Sequence, residues 1–282
     1  MKRAASIKRK TIDYIYKTAA TFFAAVAIFV LAVIIFEVLK RGAGAINFSF
    51  FFHLPKPPGE EGGGIVNALF GSFVITMIAS LIGIPLGIMS AIYSTEFGRG
   101  TLFSRYLRFS TEILSSVPSI IIGLFVYAVF VVPMKSFSTI AGAIALSIIT
   151  IPLIHRVTEE MLLMVPDTLR EAGLALGVTY PVVVRKICLK SAKIGVITGI
   201  LAAIARISGE TAPLLFTSLN SPFWNFSLFK PMATANVTVF VYAMSPYDDW
   251  RQIAWGASFL ITVSILLLTI MSRILFKRVK NG

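Results

Sequence analysis

The chain has 282 residues, of which 56% are hydrophobic and only 14% charged, with a formal net charge of +13 and a mean hydropathy of +0.84. Soluble domains carry roughly 25% charged residues, so the composition excludes an ordinary soluble domain. One cysteine, Cys188, excludes an intrachain disulfide, and with only His53 and His155 as histidines no Cys/His zinc set can be assembled.

Six basic residues between Lys2 and Lys17 precede an uncharged run from Thr18 to Phe36. Signal-peptide cores run to about 15 residues; this run is longer and has no convincing cleavage site after it, so it reads as an uncleaved first transmembrane helix. Residues 40–64 form a polar loop with Pro55, Pro57, Pro58 and the glycine run Gly62-Gly63-Gly64. No Gly-Lys pair occurs in the chain and no GxGxxG opens a helix, so nothing here resembles a nucleotide-phosphate loop.

The second span is read over Ile65–Tyr93, with Gly83 and Gly87 spaced for close helix approach. A basic loop leads to a third span, Ile113 to about Pro133, and a fourth, about Phe137 to Ile154. The polar segment 156–193 separates these from a fifth span, about Ile194 to Thr217. A loop bearing Trp224, Tyr242, Tyr247 and Trp250 precedes the sixth, about Ile253 to Phe276. Such aromatics favour the membrane–water interface.

The fold class is therefore all-α, a polytopic membrane protein with six transmembrane helices. It divides into an N-terminal segment of residues 1–64, a transmembrane core 65–276 containing the loop 156–193, and a tail 277–282. Six spans put both termini and the 156–193 loop on one side. Nineteen Lys and Arg fall on that side and six on the other, Arg206 being the remaining one. The positive-inside rule makes that side cytoplasmic and accounts for the basic charge without nucleic acid.

Within 156–193, Pro166-Asp167 suits a helix start, Thr168 to Leu176 a helix, Gly177 a stop, and Pro181 to Ile187 a second short helix. In the fifth span, Arg206 lies thirteen residues beyond Lys193, roughly 20 Å along a helix, and Glu210 one turn further. Both fall in the outer half of a hydrocarbon core about 30 Å thick. At i, i+4 the two side chains can meet on one helical face. Ionisable groups at that depth usually face a pathway. An intrahelical pair that only orders the bundle is the structural alternative. Gly209 and Pro213 flank Glu210 and predict a bend or break, a feature of transporter solute paths.

Glu171-Ala172-Gly173, three residues, Gly177, nine residues and Ile187-Cys188-Leu189 resemble the EAA loop of ABC-importer permeases, with Gly173 and Lys190 departing from that pattern. In that family the loop forms the coupling helix that docks on a cytoplasmic ATPase. The resemblance implies ATPase docking by Arg170, Glu171, Ala172, Gly173 and Gly177. Three further stretches resemble the phosphate-specific, PstA-type importer permeases: Val117-Pro118-Ser119 to Phe125; Ala205-Arg206 with Gly209-Glu210-Thr211-Ala212-Pro213 to Thr217; and Ser245-Pro246-Tyr247 with Trp250, Ala254 and Trp255.

That resemblance spans about residues 65–276 and implies the type I ABC importer permease fold. It also implies a phosphate path through Arg206 and Glu210. Independently of it, Ser119 and Thr211 are candidates to face the cavity, and Gly209 and Pro213, at the expected break, are the candidate hinge. The implied partners are a PstC-type second permease, a PstB-type ATPase dimer, a PstS-type extracytoplasmic phosphate-binding protein, phosphate and the lipid bilayer. No catalytic residue, metal or cofactor is assigned to this chain; ATP and magnesium belong to the ATPase. Two uses of Glu210 are open: holding and moderating Arg206, which is favoured, or accepting a hydrogen bond from protonated phosphate. The rival readings are a molybdate or sulfate permease, a membrane-embedded enzyme, and a non-transporting scaffold or receptor subunit.

Overall fold

The computed structural model describes the backbone of residues 2–60 and 62–280 and the side chains of 13–60 and 62–274. The basic side chains expected at 2–10 and at 277–280, and residues 281–282 of the tail, lie outside the described side chains. Every regular element among the described residues is helical. Helix α1 (Lys2–Ala45) leads into α2 (Phe48–Phe52) and α3 (Val66–Ile92), which a π-helical turn extends to Phe97. Then come α4 (Leu102–Ser116), α5 (Ser119–Val126), α6 (Val132–Met134), α7 (Thr139–Leu163) and α8 (Asp167–Ala175). The chain continues through α9 (Tyr180–Val183), α10 (Leu189–Ser208), α11 (Ala212–Leu215), α12 (Ala235–Ala243) and α13 (Asp248–Lys280).

Five helical runs are long and apolar enough to cross a membrane, and the bent α4–α6 segment makes a sixth. Six spans therefore stand, with corrected limits. The third is not one straight helix: Val117-Pro118 interrupts it and turns its axis by 104°. Proline disfavours the α conformation in the residue before it, and Val117 is extended, with φ −71° and ψ 129°. The fifth span starts early, at Tyr180, because a π-helical turn (Val184–Cys188) joins α9 to α10. The expected second cytoplasmic helix, Pro181 to Ile187, is thus the beginning of span five, and Lys190 lies inside this continuous run. Span five also ends early, at Ser208 rather than Thr217.

The core is the α3–α7 pair. Gly83 and Gly87 seat directly on α7: a Cβ on either would lie 2.7 Å from the Cβ of Thr150 or Ile154. The sequence spacing thus delivers the close approach it permits. Ile75, Leu146, Ile207, Leu214 and Val237 form the central apolar cluster, joining α3, α7, α10, α11 and α12. Among its described side chains, helix α1 docks near its C-terminal end. There Gly42 meets Phe259, and the Arg41 guanidinium stands 5.2 Å from the Trp255 ring centroid. The most apolar stretch of α1 has no buried residue, as lipid or a second membrane chain would require.

The bundle has two distinct ends. At one, α3 begins beside Met232-Ala233 and the stacked rings of Trp224 and Phe226. At the other, the extension of α3 meets α8 and Tyr180.

Candidate functional site: two helix breaks around a membrane-depth arginine

Helix α10 terminates because Ser208-Gly209-Glu210 leaves the helical ladder three residues before Pro213, which then occupies the first turn of α11. The carbonyls freed by such an ending need donors. The Asn236 side-chain amide of α12 supplies them, donating to Ser208 O at 2.7 Å and to Glu210 O at 3.1 Å. Asn236 is buried. Sequence reasoning passed over it, although a lone asparagine inside the apolar run Ala235 to Ala243 is the signal that marks it.

The two helix breaks meet. Gly123 of α5 lies against Pro213 so closely that a Cβ there would stand 2.6 Å from Pro213 Cα. Beside this contact is a cavity of about 150 Å³ lined by Pro118, Ser119, Ile149, Pro152, Arg206 and Glu210, among others. Three of the four expected path residues, Ser119, Arg206 and Glu210, are thus gathered in one place. Thr211 is outside the lining and begins the next turn. Ile207 packs with Ile75, nine residues into α3, which sets Arg206 roughly 14 Å from the aromatic end of the bundle.

The helical Arg206–Glu210 pair does not form: no carboxylate lies within 4.0 Å of Arg206 among the described residues. Spacing at i, i+4 brings side chains together only while the helix continues, and here it stops between them. Arg206 is exposed in the isolated chain and Glu210 half-buried. The cavity therefore presents an uncommitted guanidinium, whose planar fork suits oxyanion geometry. Ser119, the first residue of α5, adds a hydroxyl.

The segment expected to dock an ATPase is built differently from its sequence reading. Arg170 is a structural clamp. Its Nη2 and Nε donate to the two oxygens of Glu96 at 2.7 and 3.1 Å. Its Nη1 donates to Val165 O at 2.6 Å and Asp167 Oδ1 at 3.0 Å, and Nη2 also reaches Leu162 O at 2.9 Å. The Tyr180 hydroxyl donates to Glu96 at 2.8 Å. With 6% of its side chain exposed and Glu96 fully covered, Arg170 has no surface to offer a partner. The Glu96 carboxylate holds the guanidinium above its ordinary range, outweighing the opposing effect of burial.

Gly173 is buried against Ile187 and Val183, where a Cβ would meet Ile187 Cδ1 at 2.7 Å. Gly177 has φ +77°, the left-handed conformation that ends α8 as expected. Glu171 and Ala172 face outward together with Leu169 and Leu176. Arg170 and Gly173 thus fix α8 to the bundle, and the opposite face of the same helix is free.

Residues 83–281 match the family described as binding-protein-dependent transport system inner membrane component. The chain belongs to that family. Similar relatives include the phosphate transport system permease protein PstA of Yersinia pestis, 45% identical and aligned over 90% of this chain and 86% of that protein. The Haemophilus influenzae protein of the same name is 44% identical, over 90% of each chain. PstA 2 of Mycobacterium bovis is 33% identical over 97% and 91%. Among solved structures, an inward-facing MetNI methionine ABC transporter superposes with a TM-score of 0.58 at 21% identity, covering 76% of this chain and 94% of that one. A second, an amino acid ABC transporter, gives a TM-score of 0.56 at 15% identity. The fold is that of the type I ABC importer permeases, and the chain is a multi-pass inner-membrane component.

Proposed function

We propose that this chain is a transmembrane permease subunit of an ATP-driven importer of inorganic phosphate. The observation that carries this reading is Arg206, held at membrane depth without a carboxylate partner. It opens with Ser119 and Glu210 into a cavity at the junction of two broken helices. The named relatives, phosphate permeases aligned over nine tenths of the chain, support phosphate as the anion.

A PstC-type second permease covers the exposed side of Arg206 and completes the path. A PstS-type binding protein delivers phosphate at the aromatic end. The distribution of Lys and Arg supports a cytoplasmic location for both termini and α8. On that side α8 docks a PstB-type ATPase dimer through Glu171, Ala172 and the apolar side chains beside them. ATP and magnesium belong to that dimer.

Arg206 binds phosphate through charge-assisted hydrogen bonds, and Glu210, free of Arg206, accepts from a protonated phosphate oxygen. Closure of the ATPase moves α8. The Arg170–Glu96 clamp passes the movement to α3, and the breaks at Val117-Pro118 and Gly209 to Thr211 absorb it. Radiolabelled phosphate uptake in cells lacking this chain, with and without a complementing copy, tests the assignment. Restored phosphate uptake is expected. Uptake of molybdate or sulfate instead, or of none of these anions, would overturn it.

A further inference from the structure

Ser115 and Pro152 line the cavity at Arg206 and also a second, larger cavity of about 680 Å³ next to it, nearer the α8 end. Both cavities use the same two helices. On α7 the lining descends from Ile149 through Pro152 to His155 and Glu159, and on α4 it passes from Leu114 and Ser115 to Glu112 and Arg108. Pro152 and Glu159 are seven residues apart, about 10 Å along α7.

In this second cavity Arg108 Nε stands 2.7 Å from Glu159 Oε1, and His155 Nε2 stands 3.4 Å from Glu159 Oε2. His155 has only 1% of its side chain exposed, and its Nε2 makes no hydrogen bond. Its other nitrogen is committed. Ser90 Oγ donates its proton to Gly87 O at 2.8 Å, so it accepts from His155 Nδ1–H at 2.9 Å. His155 is therefore a buried brace beneath Glu159 and not a ligand-facing group. Arg156 and Glu160 also line the cavity but pair with each other, at 3.0 Å, while Glu112 adds an exposed carboxylate.

We infer that Arg108 and Glu159, braced by the buried His155, form a second, inner station that accepts a protonated oxyanion on its way out of the Arg206 cavity. Arg108 supplies the cation for the P–O⁻ oxygens; the Glu159 carboxylate accepts from the P–OH group. An oxyanion without a proton finds only the arginine and meets the carboxylates with repulsion. Sulfate is therefore excluded on the same grounds that admit hydrogen phosphate. The excess of carboxylates over guanidinium groups also keeps the station weak, which favours release.

This inference rests on the phosphate-permease reading, and the test separates the two. In the assembled importer, the double variant Arg108→Met with Glu159→Met removes both charges, so no buried charge is stranded. Binding-protein-stimulated ATP hydrolysis is expected to persist while phosphate uptake falls at least about tenfold. Uptake within about twofold of wild type would mean that the pair only ties α4 to α7, and would overturn the inference while leaving the wild-type function intact.

A second measurement does not depend on how that variant folds. Ser116→Cys places a thiol in the wall of the second cavity. Inorganic phosphate is expected to slow its modification severalfold, and sulfate at equal concentration is not. Equal protection by both anions, or none by phosphate, would overturn the station.

Discussion

Arg170→Met is the most informative change to the loop, because it removes a charge that no partner can touch. The side chain lost makes two bonds to Glu96, two to the Leu162 and Val165 carbonyls and one to Asp167. Glu96 is left fully covered, with the Tyr180 hydroxyl and the more distant Arg99 to stabilise its charge. Removing one partner of such a buried pair costs about 3–5 kcal/mol, and every 1.4 kcal/mol is about tenfold in an equilibrium. Because the clamp joins α8 to the end of α3, the loss should appear as local opening. Amide hydrogen exchange across 164–179 in the purified protein is expected to accelerate by about 10²-fold or more. Co-purification of the ATPase should fall with it. The double variant Arg170→Met with Glu96→Leu also removes the stranded carboxylate, and should recover most of the protection. Exchange in Arg170→Met within threefold of wild type would refute the clamp.

Three further outcomes are expected. Glu171→Arg, on the free face of α8, should reduce ATPase co-purification at least about tenfold with unchanged hydrogen exchange in 164–179; unchanged co-purification would remove Glu171 from the dock. Gly123→Ala places a methyl group 2.6 Å from Pro213 Cα, where backbone must move, at about 1–3 kcal/mol; uptake should fall while assembly, followed by size-exclusion chromatography, persists. Asn236→Leu keeps the volume but leaves the Ser208 and Glu210 carbonyls without their donor, costing about 1–3 kcal/mol, which a lowered thermal unfolding midpoint in detergent would report.

The spans were legible because lipid demands long apolar runs, and the glycines at 83 and 87 were legible because helix spacing puts them on one face. Arg206 was legible as a charge with no business at its depth, and Ser119 as a hydroxyl in an apolar span. What sequence periodicity could not supply was any pairing across the chain. Arg170 and Glu96 are 74 residues apart, so a charge inside an outward-looking motif read as a docking group when it points inward. The break at Val117-Pro118 hid inside an apolar run, because composition is the same on both sides of the bend. The expected Arg206–Glu210 pair needs an unbroken helix from 206 to 210, and the break that Gly209 and Pro213 predict falls between the two residues. Asn236 supports that break by providing for the freed carbonyls from another helix, and only the three-dimensional arrangement reveals that.

The central claim is that phosphate crosses the membrane past Arg206. ATP-dependent uptake of radiolabelled phosphate by the complete importer in proteoliposomes, with wild-type chain and with Arg206→Ala, tests it directly. The account predicts accumulation with the wild type and none above background with the variant, while binding-protein-stimulated ATP hydrolysis and subunit assembly remain. Wild-type accumulation by a fully assembled Arg206→Ala importer would contradict it.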